Sequence, residues 1–279
     1  MARRSGWLYP LVKETGFMRV SSIMAALLAL LCGSADASAE LGLAEKLAIV
    51  ARSYPDTIAS ITGNEVLLKN GSRIVVDDGV TRDHFQMLEA GDLEDSLKQL
   101  YEAGPCEIKP AVNADPGRIR SEALMTAMYG TSKKAAAANL VAVKWFGETL
   151  QVTKVNGVNV ALEAVRDDLV SRSDLRRYLT PSAGVFNWRK VSGQKNLSVH
   201  SFGAAVDLNT KFADYWVWSG GKPGRVPVYK NKFPMEIVEI FEKHGFIWGG
   251  RWYHYDTMHF EYRPELLEIA RRSGVAACK

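Results

Sequence analysis

Cysteine is scarce in this chain, three among 279 residues, which excludes a small scaffold stapled by several disulfides. Cys32 falls within the first 39 residues, and only Cys106 and Cys278 follow them. In an oxidising compartment that pair can tie the C-terminal tail to the middle of the chain, but spacing alone leaves two free thiols equally open. Long hydrophobic runs are missing too. The apolar stretch 23–31 gives way to Gly33, Ser34 and Asp36, and a membrane span needs about 20 apolar residues, so no stable membrane insertion is expected. There is little excess of either charge, +4 in all. No Lys/Arg cluster is wide enough to track a phosphate backbone, which argues against a nucleic-acid partner. Internal repeats and low-complexity segments are absent.

What is present begins with a targeting signature. Arg3, Arg4, Lys13 and Arg19 precede the apolar stretch, and small residues ending in Ala37-Ser38-Ala39 follow it, the pattern of a secretory signal cut after Ala39. Met18 is an alternative start that yields the same mature chain. Leu31, just before Cys32, stands where a lipid-attachment signal has a small residue, so a lipoprotein is not expected. Removing residues 1–39, with four basic and two acidic residues, leaves a charge of +2. The remainder, drawn from a chain with 47% apolar and 24% charged residues, reads as a soluble globular protein with one sizeable core or two small ones.

Residues 40–53 have the spacing of an amphipathic helix, and 66–68 and 74–76 read as strands around an Asn70-Gly71 turn. Residues 83–101 are helical with an interruption near Gly91, and 109–117 resemble a linker. Helical patterns recur over 120–128, 132–140 and 160–179. A strand pair is expected at 141–145 and 150–155, with Asn156-Gly157 as another turn. Towards the end, 204–206, 246–248 and 259–262 read as strands, and 235–244 and 264–273 as helices, the last opened by proline. The pattern is α+β, a small antiparallel sheet flanked by helices. It divides into the signal at 1–39, an N-terminal helical and hairpin region at 40–110 and a catalytic region at 111–279.

Chemistry concentrates in the last hundred residues. His200, Asp207 and His259 are the side-chain types of a catalytic zinc site, which uses three protein ligands and keeps a position for water or substrate. Seven residues separate His200 from Asp207, so an unbroken strand would face them oppositely; Gly203 between them suggests a bend. By spacing alone, ordinary buried or surface histidines explain these residues at least as well. Asp256, three residues before His259, has the chemistry of a general base and acid, or is a plain turn aspartate. Arg189 can steady an oxyanion or a substrate carboxylate, or form a salt bridge. His254 reads as a metal-supporting, substrate-contacting or packing residue, and His244 as a partner for a helix C-terminus.

The run Ser198-Val199-His200-Ser201-Phe202-Gly203-Ala204-Ala205-Val206-Asp207, followed by Asp256-Thr257-Met258-His259, resembles the zinc D-Ala-D-Ala carboxypeptidase and L-alanyl-D-glutamate peptidase family, peptidase family M15. The likeness is strong over 181–267, looser from Asp115-Pro116-Gly117-Arg118 to Asn156-Gly157, and absent over 40–105. It implies a hedgehog/D-Ala-D-Ala-peptidase-like fold, Zn2+ held by His200, Asp207 and His259, Asp256 as the catalytic carboxylate and Arg189 as the arginine preceding the first ligand. It also implies peptidoglycan stem peptides as substrate, and the secretory signal places the enzyme in the periplasm. The long insertion between Asp207 and Asp256 departs from the pattern. It leaves open whether the enzyme trims a terminal residue or cuts inside the stem, and whether Trp216, Trp218, Trp248, Trp252 and Tyr253 line a cleft. A non-catalytic wall-binding protein and a peptidase for non-wall dipeptides are the alternatives.

Overall fold

The computed structural model describes residues 41–275; the secretory signal expected over 1–39, with its Met18 alternative, and Cys278 lie outside these residues. The amphipathic segment forms α1, Leu43–Ser53, which buries Leu47, Ile49 and Val50. A three-stranded antiparallel sheet follows, β1 (Ile58–Thr62), β2 (Glu65–Leu68) and β3 (Arg73–Val75), in that order. Along β2 only Val66 and Leu68 are fully buried, the period of two that sets one sheet face against a core. The Asn70-Gly71 turn joins β2 to β3 as expected, whereas β1 has too many small polar residues to stand out by pattern.

Two short helices come next, α2 (His84–Ala90) and α3 (Leu93–Ser96). Asp83 accepts from Gln86 N–H and Gln86 Oε1 accepts from Asp83 N–H, both at 2.9 Å, a reciprocal cap that starts α2 where the sequence places it. Irregular chain then carries Asp115, Arg118 and Arg120 to α4 (Glu122–Tyr129) and α5 (Lys133–Ala137). The strands β4 (Leu140–Trp145) and β5 (Glu148–Thr153) pair antiparallel. Their turn is Phe146-Gly147, with φ of 38° and 97°. Asn156-Gly157 is not a hairpin turn; its positive φ values of 55° and 72° lead instead into α6, Val158–Leu169. The helix expected over 160–179 is thus two, α6 and the short α7, Arg176–Leu179.

The third sheet consists of β6 (Ala205–Asp207), β7 (Phe246–Trp248) and β8 (His259–Tyr262), ordered β6-β8-β7 and antiparallel throughout. Instead of one small sheet there are three, still an α+β arrangement. Helix α8, Met235–Lys243, buries Ile237, Val238 and Phe241, and Phe241 stacks on Phe260 of β8 at 4.1 Å. Gly245 ends α8 at φ 90°, a left-handed cap that costs glycine least. Helix α9, Pro264–Arg272, begins on its proline and packs against α1, where the Tyr54 hydroxyl donates to Glu265.

The described residues form one compact unit. Glu242 of α8 accepts from Tyr101 Oη at 2.7 Å, Gly104 N at 2.9 Å and Arg251 Nε at 2.8 Å, and Tyr101 in turn accepts from Trp248 N at 2.8 Å. Chain before residue 110 therefore braces the segment between β7 and β8. Cys106, in the same stretch, is disulfide-bonded.

Candidate active site

Strand register delivers two of the three candidate ligands. Asp207 and His259 are direct partners across β6 and β8, so their side chains leave one sheet face side by side. His200 reaches them from the 3-10 turn Val199–Phe202, which ends at Gly203 with φ 70°. A Cβ at Gly203 would come within 2.6 Å of Leu140 Cδ2 and 3.1 Å of Thr153 N, so both the conformation and the space require glycine. The turn resolves the odd spacing, because His200 precedes the strand instead of sharing it.

Three ligating atoms converge. His200 Nε2 lies 3.1 Å from Asp207 Oδ2, His259 Nδ1 lies 3.0 Å from Asp207 Oδ1, and the two ring nitrogens are 3.2 Å apart. Each ring's other nitrogen faces an acceptor, His200 Nδ1 to Val185 O at 2.7 Å and His259 Nε2 to Glu261 Oε2 at 3.0 Å. A carbonyl and a carboxylate can only accept, so the outer nitrogens carry protons. Burial works against a charged His259 ring, but Asp207 and Glu261 together push it up to about 9, and its inner nitrogen would present a lone pair once a metal cation takes the place of the inner proton. Two inner ring nitrogens and a carboxylate aimed at one point suit a cation. Tetrahedral zinc with bonds of about 2.0–2.1 Å has ligand atoms about 3.3 Å apart, close to the spacing seen, so these residues fit the ion that the sequence implies.

The support behind the ligands is ionic. Glu261 is fully buried; it accepts from Arg120 Nε at 3.1 Å and from Arg120 Nη2, and from Arg263 Nη1 at 3.4 Å. Burial alone would raise its carboxyl, but Arg120 and the His259 contact hold it well below the usual carboxylate range. It stays ionised and fixes the His259 tautomer, a carboxylate–histidine arrangement typical of metal sites. Burial would likewise raise Asp207, and His200 and His259 hold it down.

Asp256 sits on the segment between β7 and β8, fixed by its N–H to Gly249 O at 3.0 Å and by His259 N–H to its own carbonyl at 3.2 Å. Its Oδ1 is buried and has no hydrogen-bond partner among the described residues. Burial, then the Asp207 charge, pushes its carboxyl up to about 6, against the opposing pull of His259, Arg118 and His200. A carboxyl that titrates near neutrality can accept and return a proton.

The three ligand residues and Asp256 line a cleft of about 210 Å³, together with Arg118, Arg120, Arg189, Tyr215, Trp218 and Trp252. A second recess of about 250 Å³ runs along residues 183–187 and shares Arg189, His200 and Asp207, so the centre is open on two sides. Arg189 is exposed at this shared rim, and its Nη1 donates to Lys190 O at 3.3 Å. Of the five aromatics expected near a cleft, Trp218 and Trp252 line it. Trp248 is core, its Nε1 donating to Thr257 O at 2.8 Å; Trp216 packs edge-on to His254; and Tyr253 Oη accepts from Val226 N at 2.9 Å.

Arg118, Arg120 and Glu261 were not singled out as site residues from sequence. Glu261 had a signal, since it stands two residues after His259 on a strand and so shares its face. His254 is placed in a second histidine–aspartate group with His84 and Asp115. His254 Nδ1 and His84 Nε2 lie 2.7 and 2.9 Å from Asp115 Oδ2, while Gly224 N–H donates to His254 Nε2 at 3.0 Å. Both His254 nitrogens are thereby used, which makes it a brace for the loop at Gly224. His244, at the end of α8, faces Asp168 at 2.8 Å.

A sheet-borne, open-sided group of two histidines and one aspartate beside a carboxyl that titrates near neutrality is an arrangement that metal-dependent hydrolases use. Residues 192–262 match the family model described as D-alanyl-D-alanine carboxypeptidase, and this match supports the peptidase M15 family, and with it peptidase activity, for the chain. The matched segment contains His200, Asp207, Asp256 and His259. Neither a curated protein nor a solved structure matches the chain.

Proposed function

We propose that the protein is an exported zinc peptidase that hydrolyses an amide bond in peptidoglycan stem peptides. Residues 1–39 direct it to the periplasm, and residues 111–279, with the hedgehog-like peptidase fold implied by the motif, form its catalytic region. The observation that carries this reading is the convergence of two imidazole nitrogens and the Asp207 carboxylate beside the unpartnered Asp256 oxygen.

His200, Asp207 and His259 would hold the zinc, which when bound would polarise the scissile carbonyl and acidify water for attack at neutral pH. Asp256 takes the proton from the attacking water as its oxygen bonds to the carbonyl carbon. The same carboxyl returns that proton to the nitrogen as the C–N bond breaks, so the products are a carboxylic acid and a free amine. Arg189, at the rim, donates to the oxyanion formed in between. Glu261 keeps His259 in the tautomer that presents Nδ1 inward.

Purified protein should contain close to one zinc per chain, lose hydrolysis of defined muropeptides on chelation and regain it with zinc, with products read by mass spectrometry. Full activity after verified metal removal sinks the mechanism. Cleavage of dipeptides but not of stem peptides redirects the substrate, and a metal-bound protein that cuts neither is a binding protein.

A further inference from the structure

Asp256 has a close neighbour with no part in the mechanism above. Tyr215 stands directly across from it in an antiparallel bridge, with Trp216 N–H donating to Tyr255 O and Thr257 N–H to Asp214 O, both at 3.0 Å. Those bonds flank the pair and leave it non-hydrogen-bonded, the arrangement that brings opposed residues closest, about 4.5 Å between Cα atoms, with both side chains on one face. Tyr215 accordingly lines the same cleft as Asp256 and the three candidate ligands. Its half-buried ring stands edge-on to Trp216 and Trp218, with centroids 5.9 and 5.8 Å away. Its hydroxyl makes no hydrogen bond among the described residues.

The rest of the cleft wall says what such a hydroxyl can do there. Guanidiniums and indoles only donate, and Arg118, Arg120, Arg189, Trp218 and Trp252 make the cleft rich in donors. Acceptors are few. The inner atoms of His200, Asp207 and His259 face one another, Asp256 has its proton to transfer, Ser198 Oγ already accepts from His200 N–H at 3.4 Å, and Ser192 is exposed on the loop beyond Arg189. A scissile amide carries one N–H, and as its nitrogen turns a developing lone pair to Asp256, that hydrogen points away from the carboxyl. We infer that Tyr215 Oη accepts this N–H and holds the nitrogen with its lone pair towards Asp256. Tyrosine is the longer of the two side chains, so from an adjacent Cα its oxygen reaches past the carboxyl to the substrate. The phenol keeps its own proton throughout; the proton that Asp256 takes from water is the one it gives to the amine. Tyr215 is a catalytic residue under this assignment, which rests on the peptidase reading above and holds whether one residue or a longer peptide departs.

The test uses two inhibitors built on the muropeptide that the wild type cleaves, a phosphonamidate with NH at the leaving position and a phosphinate with CH2 there. Both copy the tetrahedral intermediate, and only the first has an N–H to give. Wild-type Ki should favour the phosphonamidate by about twofold to tenfold, the usual worth of one neutral hydrogen bond. In Tyr215→Phe, which keeps the ring against Trp218, that ratio should fall to near one while the phosphinate Ki stays. Its kcat/KM on the muropeptide should drop by the same factor, with zinc content unchanged. Equal Ki values in the wild type overturn the assignment whether or not the variant folds. A ratio retained in Tyr215→Phe overturns it too, and a kcat/KM loss beside a retained ratio means that the phenol acts on another atom of the substrate. Wild-type hydrolysis keeps the peptidase reading intact in all three outcomes. Cleavage of no muropeptide removes that reading and the Tyr215 assignment with it.

Discussion

Two groups of two histidines and one aspartate lie in this fold, His200, Asp207 and His259 in one and His84, Asp115 and His254 in the other. In the first, each ring spends its outer nitrogen on a protein acceptor and turns the inner one to its neighbours. In the second, a backbone N–H from Gly224 occupies the His254 nitrogen that would otherwise be open, and both rings hydrogen-bond to a single Asp115 oxygen. Composition and burial hardly distinguish them. What differs is the atom beyond the ring: an acceptor behind His200 and His259 fixes a proton outside and frees the inner nitrogen for a metal, whereas the Gly224 N–H behind His254 takes that ring's outer lone pair and forces the proton inward. The first group is suited to a cation, and the second is a hydrogen-bond network that pins the loop at Gly224 to the segment before Asp256.

Substitutions can break this contrast. The largest effect is expected from His200→Ala or His259→Ala, which should lose both bound zinc and hydrolysis, while His254→Ala and His244→Ala keep zinc near one per chain by elemental analysis. Loss of zinc in His254→Ala with the fold intact would falsify the division of roles. Next comes Asp256→Asn, which should hold its metal and its circular dichroism spectrum while kcat drops by about 10² to 10⁴, the range for a proton-transfer group. Unimpaired turnover in metal-loaded Asp256→Asn would mean that another group moves the proton.

A smaller change tests the support shell. Glu261→Gln removes the charge that fixes His259 and should weaken zinc affinity about 10- to 100-fold, measured by competition with a chelator of known affinity. Unchanged affinity would show the tautomer to be set elsewhere. The smallest effect belongs to the network around Asp115. Asp115→Asn should leave zinc content alone and cost about 1–3 kcal/mol of stability, the penalty for leaving buried polar partners unmatched.

That stability difference should depend on pH. Burial alone would raise Asp115, but hydrogen bonds from His254 and His84, with the charges of His254 and Arg118, hold it well below its ordinary value of 3.8. A carboxyl lowered in the folded state contributes fully above the unfolded value and loses that contribution as pH falls through the folded one. Denaturation midpoints of wild type and Asp115→Asn should therefore differ steadily from neutral pH down to about 4 and converge below it. A gap that is constant across acid pH contradicts an ionised Asp115.

The sequence by itself determined the residues with the clearest chemistry, because they lie in two short, densely patterned stretches around His200 and His259, where local spacing carries chemical meaning. It also determined most of the regular elements whose signals are local: the start of α2, the Asn70-Gly71 hairpin, the end of α8 and the proline start of α9. It misread Asn156-Gly157, since a left-handed pair serves a hairpin or a helix entrance equally well, and only the neighbouring chain chooses. Tertiary structure alone decided the rest. Arg120 meets Glu261 across 141 residues and His254 meets Asp115 across 139, and no local pattern encodes a pairing at that distance. It also decided which histidine is a ligand candidate and which a brace, because that depends on whether a donor or an acceptor lies behind each ring, and those atoms come from Val185, Glu261 and Gly224 in three different parts of the chain.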